Sequence, residues 1–286
     1  AGRVIIHGTA GADGSSGGNR GVVIINATGD AVANPYARVT SEGGSISITG
    51  SSAFVTNGIQ VARGAFVGQI VGGTTNAIAR NVVLESTADI DSTVKMTGAG
   101  AIELASRRLT GDGEITAASG QSVTITQGGN STYQGSVSGS SVIKSGGGSL
   151  RLDSALSGST ALTVNAGELI LAANNVNTGN VSVNNDGRLQ VGVGGTTGTL
   201  GTGAVSIAAD ATVEVYRSDV GVTLTNAFSG DGTLTFAGTG VAGQSGYIVS
   251  SPGGFEGEVV VDQSHLTVSN ASALGTSSIT VQNAAS

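Results

Sequence analysis

The sequence predicts an all-β chain wound as a parallel β-helix of about nine to thirteen rungs. Three observations predict it. Apolar residues alternate with polar ones at period two in run after run, and no stretch keeps a helical period. A short template, glycine then any residue, apolar, any residue, apolar, recurs through GSLRL, GELIL, GRLQV and GTLTF. Its spacing of roughly 20 residues is that of a stacked solenoid unit. Finally, 49 glycines and 3% aromatics accompany a hydrophobic fraction of 38% and no cysteine. A core built from such a chain consists of Val, Ile, Leu and Ala, which suit thin, closely spaced strand layers.

The runs follow in chain order: Ser45–Thr49, Ala101–Ala105, Ser122–Thr126, Thr160–Val164, Glu168–Leu171, Arg188–Val191, Thr212–Tyr216, Thr233–Phe236, His265–Val268 and Ser278–Val281. With weaker runs they make about 26 strands, one every 11 residues or so. That number is too large for a sandwich or closed barrel, and two-residue hairpin loops are scarce. Longer echoes, SGDGTLTFAGTG against SGGGSLRLDSALSG and TGDGEITAASG, point to stacked units. In such a stack Leu150, Leu152, Leu169, Leu171, Leu189 and Val191 face inward, and glycine and Asn/Asp-Gly pairs turn the corners.

Charged residues make up 11% of the chain, and the net charge is −7. Residues 1–143 carry eight Lys/Arg and nine Asp/Glu, and residues 144–286 carry four and ten. Neither half offers the basic stripe that nucleic acid requires, nor a partner for an anionic membrane surface. Lack of cysteine removes disulfides, thiol catalysis and thiolate metal sites. No apolar run reaches the length of a membrane helix. The first residues, AGRVIIHGTAG, lack signal-peptide features, so the chain reads as a mature piece of something longer.

Two segments carry a family resemblance. GNSTYQG (129–135), followed by SVIKSGGGSLRL and ALTVNAGELIL, resembles the passenger-associated transport repeat of bacterial autotransporters. LGTGAVSI, NAFSGDGTLTF and FEGEVVVDQSHLTVSNASALGTSSITV are similar to autotransporter passenger sequence, with Phe255 in the tyrosine place. The resemblance covers about residues 110–286. Residues 1–109 differ: GGSISITGSSAFVTNGIQVARGA resembles the strand repeats of large bacterial surface adhesins. A soft boundary near 109 is expected within one continuous solenoid. The resemblance implies a right-handed helix and an extracellular or cell-surface location after export across the outer membrane, with a translocating β-barrel outside this chain. It implies a non-enzymatic stalk presenting loops for attachment. The partner would be a host surface protein, a glycan or another copy, and no cofactor or metal is implied. A carbohydrate-active β-helix enzyme and a self-assembling fibre subunit are the alternative readings.

Candidate chemistry is sparse. Asp89 and Asp91, spaced i, i+2 in STADIDSTV, fall on one strand face, as a carboxylate pair for sugar chemistry would; the simpler expectation is an outward face or turn. Asp112/Glu114 read the same way, Asp231 reads as a turn residue, and Glu256/Glu258 as a solvated edge. His7 and His265 have no catalytic partner nearby in sequence, and no serine-nucleophile motif exists. Arg107/Arg108, with Arg80 and Lys95, form either a patch for acidic glycans or a solvated face. The candidate binding loops are the longest departures from the repeat, Thr9–Arg20 and Asp30–Arg38, with Asp13, Arg20, Pro35 and Tyr36 singled out. Asp13 is a weak metal candidate.

Overall fold

The computed structural model describes residues 3–10, 21–25, 38–40, 45–52, 57–62, 66–68, 81–92, 96–241 and 245–283. Among them every regular element is a strand, and every strand pairing is parallel. The fold is a β-solenoid. The described residues hold 33 strands. They exceed the expected number because two-residue strands such as Leu109–Thr110, Asn174–Asn175 and Gly254–Phe255 are too short to show alternation. All ten clear runs form strands. The chain divides into two compact units, Ala1–Leu150 and Arg151–Ser286.

Three sheets carry most strands of the first unit; Ser131–Tyr133 belongs to a fourth. In the first, Val4–Ala10, Ile46–Ser52, Val82–Ser86, Ile102–Ser106, Ser122–Gln127 and Ser141–Ser145 stack in that order. The second stacks Val22–Ile25, Asn57–Ala62, Asp89–Ser92 and Leu109–Thr110. The third runs from Arg38–Thr40 through Phe66–Gly68, Met96–Gly98 and Ile115–Ala117 to Val137–Ser138. Parallel pairing in register lines identical positions into columns. Ile48, Leu84, Leu104 and Ile125 form one inward column, all essentially inaccessible. Each such side chain contributes about 1.5–3 kcal/mol on burial.

In the second unit one sheet stacks Ala161–Val164, Val181–Val183, Val205–Ile207, Phe228–Gly230 and Gly254–Phe255. Beside it lie Gly167–Leu171, Gly187–Val191, Thr212–Tyr216, Thr233–Ala237, Glu258–Asp262 and Ser278–Gln282. A third sheet holds Val222–Leu224, Gly246–Val249 and His265–Val268. The expected inward residues of both units, Leu150, Leu152, Leu169, Leu171, Leu189 and Val191, are all buried.

The aromatic-x-glycine motif now has a physical account. Tyr133 is buried, and its hydroxyl donates to the Gly113 carbonyl at 2.8 Å. Two residues on, Gly135 lies so close to the same turn that a Cβ built there would overlap the Gly113 carbonyl oxygen. Phe255 and Gly257 repeat the arrangement over Gly232, with a buried ring and no hydroxyl. The motif therefore fastens one rung onto the turn of the preceding one. Gly135→Ala is expected to lower stability by about 2–3 kcal/mol, because backbone rather than a flexible side chain must give way. Gly147→Ala is the control: a Cβ there meets nothing within 4 Å. Equal denaturation midpoints for the two variants would refute this account of the motif.

Candidate functional site

Asp13, Arg20, Pro35 and Tyr36 lie outside the described residues, as do Arg80 and Lys95. The described polar residues converge instead at one corner of the first unit, where the chain leaves the first sheet for the second. Asp89 begins the strand Asp89–Ser92, and Arg108 is its neighbour on the next rung, because Leu109 pairs with Ile90. Asp89 and Asp91 do lie on the same face. The unexpected feature is burial: Asp89 is 3% exposed. Arg107 Nη2 donates to its Oδ2 at 2.9 Å, and Arg108 donates to the same oxygen from Nε at 3.0 Å and Nη2 at 2.7 Å. The hydrogen bond to Asp89 pushes the Arg108 guanidinium further up in pKa, against the opposing effect of burial.

Three donors crowd Oδ2, while Oδ1 is buried without a partner. Arg107 Nε and Ser106 Oγ are likewise buried and unpartnered. Three of the four such side-chain atoms among the described residues thus sit at this corner. Asp91, on the same face, has partners of its own, accepting from Gln60 Nε2 at 3.0 Å and Thr110 Oγ1 at 3.3 Å.

An open groove of about 610 Å³ runs past this corner. It crosses five successive strand ends, with Thr49, Glu85, Ala105 and Thr126 stacked in register along one wall. Arg107 and Ser106 line it at the corner. Below them Gln127, itself buried, braces the turn: its amide donates to Gly129 O at 3.0 Å and Ser149 O at 2.8 Å and accepts from Ser131 Oγ at 3.1 Å. On the next rung Lys144 continues the inward aliphatic column opposite Ile125. It is 1% exposed and donates to Ser145 O and Gly146 O at 2.9 and 2.8 Å. Burial pulls its ammonium down to about 8.

The other sequence candidates are dispersed. Asp112, Asp231, Glu256, Glu258, His7 and His265 are all exposed. Glu114 accepts from Thr116 Oγ1 at 2.8 Å, and Glu258 accepts from Thr280 Oγ1 at 2.8 Å. Among the described residues no three of His, Cys, Asp and Glu are placed to hold a metal ion.

Sequence reasoning missed the polar heart of the second unit. Arg217 is buried and fixes a turn from inside, donating to Gly198 O at 2.7 Å and Thr196 O at 2.6 Å. It also pairs with Asp219 through Nε at 2.9 Å and Nη2 at 2.6 Å, which holds the Asp219 carboxyl below the usual range. Its backbone N–H donates to the buried Tyr247 hydroxyl at 2.9 Å. The i, i+2 spacing of Arg217 and Asp219, directly after the strand TVEVY, was the available signal. Arg188 bridges Glu168, at 2.8 Å, and Glu214 on the outer wall. Burial raises the Glu214 carboxyl, with Arg188 opposing.

No family model, no curated protein and no solved structure matches this chain.

Proposed function

We propose that the chain is a non-enzymatic segment of a secreted or surface-displayed bacterial autotransporter adhesin, a stiff stalk that presents surfaces for attachment. The observation that carries this reading is the aromatic-x-glycine fastening at Tyr133/Gly135 and Phe255/Gly257. It falls on the residues that resemble the passenger repeat, and it has a purely structural job. The solenoid fold is compatible with a stalk. Asp89 supports the non-enzymatic side. Among the described residues it is the one buried carboxylate, and two guanidinium groups already engage it. A carboxylate held that way is poorly placed to protonate a leaving group or attack a sugar.

Beads coated with the chain should adhere to host cells or to each other, and polysaccharides incubated with it should release no product. If beads coated with the chain adhere no better than bare beads, the adhesive role is refuted. Product release abolished by Asp89→Asn or Asp91→Asn would replace the reading with that of a carbohydrate-active enzyme.

A further inference from the structure

We propose that the corner groove of the first unit binds a neutral linear oligosaccharide, with Arg107 donating to it and Glu85 accepting from it. The inference rests on the adhesive part of the function proposed above and assigns it a site and a ligand class.

The first support is shape. The groove crosses five strand ends stacked at intervals of about 4.8 Å, and its wall carries Thr49, Glu85, Ala105 and Thr126 in register. Apart from Glu85, such a wall offers small polar or methyl-bearing side chains at a spacing close to the rise of one pyranose in an extended glycan. An extended ligand lying along the stacking direction meets an equivalent position at every rung.

Charge selects the ligand class. Of the groove-lining residues, Glu85 carries a negative charge and Arg107 a positive one. The nearby Asp89 and Arg108 offset each other. A polyanion would meet as much repulsion as attraction. Sugar hydroxyls both donate and accept, so one chain can satisfy a carboxylate and a guanidinium along its length.

The arrangement at Asp89 identifies Arg107 as the residue that turns to the ligand. One carboxylate needs one cation, and Arg108 supplies two of the three donors on Oδ2. Arg107 supplies the remaining one, lines the groove, and has an unpartnered Nε. Ser106 Oγ beside it is unpartnered too. A ligand hydroxyl that draws the Arg107 head outward gives Nε and Nη2 an acceptor and frees room at Asp89, which keeps Arg108. Buried polar atoms left without partners are costly, so the free groove is the less satisfied state.

The test is a screen of the full chain, presented multivalently, against neutral and uronic-acid oligosaccharides of increasing length, followed by titration. Binding to neutral oligomers is expected, strengthening with length until five rungs are spanned. Arg107→Ala and Glu85→Gln should each weaken it about tenfold with melting temperature unchanged. Glu103→Gln, an exposed acid on the same sheet outside the groove, should bind as the parent does. If Arg107→Ala proves unstable, Arg107→Lys keeps the charge on Asp89 and should still weaken binding. No binding to any neutral oligomer, binding confined to polyuronates and lost in high salt, or binding untouched by both groove substitutions would each overturn the proposal. Bead adhesion surviving in the Arg107→Ala/Glu85→Gln double variant would remove the groove alone. Absence of adhesion by the parent chain would remove the functional reading itself.

Discussion

Leu171→Asp is expected to lower the unfolding free energy by several kcal/mol, enough to abolish cooperative folding at ordinary temperatures. Leu171 is 1% exposed in a column between buried neighbours and pairs in register with Val191. An aspartate there loses the transfer free energy of the leucine and carries a carboxylate into an aliphatic layer with no polar partner. The neighbouring Ile170 lies on the outer face, opposite Gln190. Ile170→Lys should therefore change stability by no more than about 1 kcal/mol. Thermal melts of the two variants test the register directly. Equal effects would mean that the parity of this strand is wrong.

The second large effect concerns Lys144 and pH. Its ammonium is held down to about 8, against 10.5 for an exposed lysine, and burial is the cause. Between those values the unfolded chain carries a proton that the native chain has lost, so stability rises with pH across that window. The full span corresponds to about 3 kcal/mol. Above pH 10 the buried phenols act in the opposite direction. Burial pushes Tyr247 up to about 12 and Tyr133 further, so unfolded tyrosines ionise first and stability falls again. A denaturation series from pH 7 to 11 should show a rise from about pH 8 and a turn-down beyond 10. Lys144→Met, which restores an apolar side chain to the column, should abolish the rise and melt higher than the parent at pH 7. A flat parental profile between pH 8 and 10, or a Lys144→Met variant that melts lower, would contradict this account.

The candidate site was far less legible than the fold. Asp89 and Asp91 could be placed on one face from their spacing, and the adjacency of Arg107 and Arg108 was plain. What linked them is a separation of about one rung, the distance from Asp89 to Arg108, and no local pattern marks that distance as a contact. Burial of Asp89 follows from two long side chains folding over it, a property of those side chains rather than of the strand. Arg217 was passed over for a related reason: the four acceptors of its guanidinium lie in a turn about twenty residues earlier and on Asp219.

The sequence by itself determined the strand-and-turn rhythm, the parallel solenoid and the inward faces of GSLRL, GELIL and GRLQV, because period-two alternation next to a turn glycine permits one burial pattern. Tertiary structure decided the strands where alternation is ambiguous. In SVIKS, Ile143 could claim the inside and leave Lys144 in water. The stack instead aligns Val142 with Val123, and a one-residue slip would exchange every side chain between core and surface. Lys144 is therefore carried into the aliphatic column by its neighbours' register, and its ammonium finds two carbonyls at the corner. A residue's own hydrophobicity sets which side it prefers, but within a hydrogen-bonded stack the whole strand chooses, and a single unfavourable position is outvoted by the pairing around it.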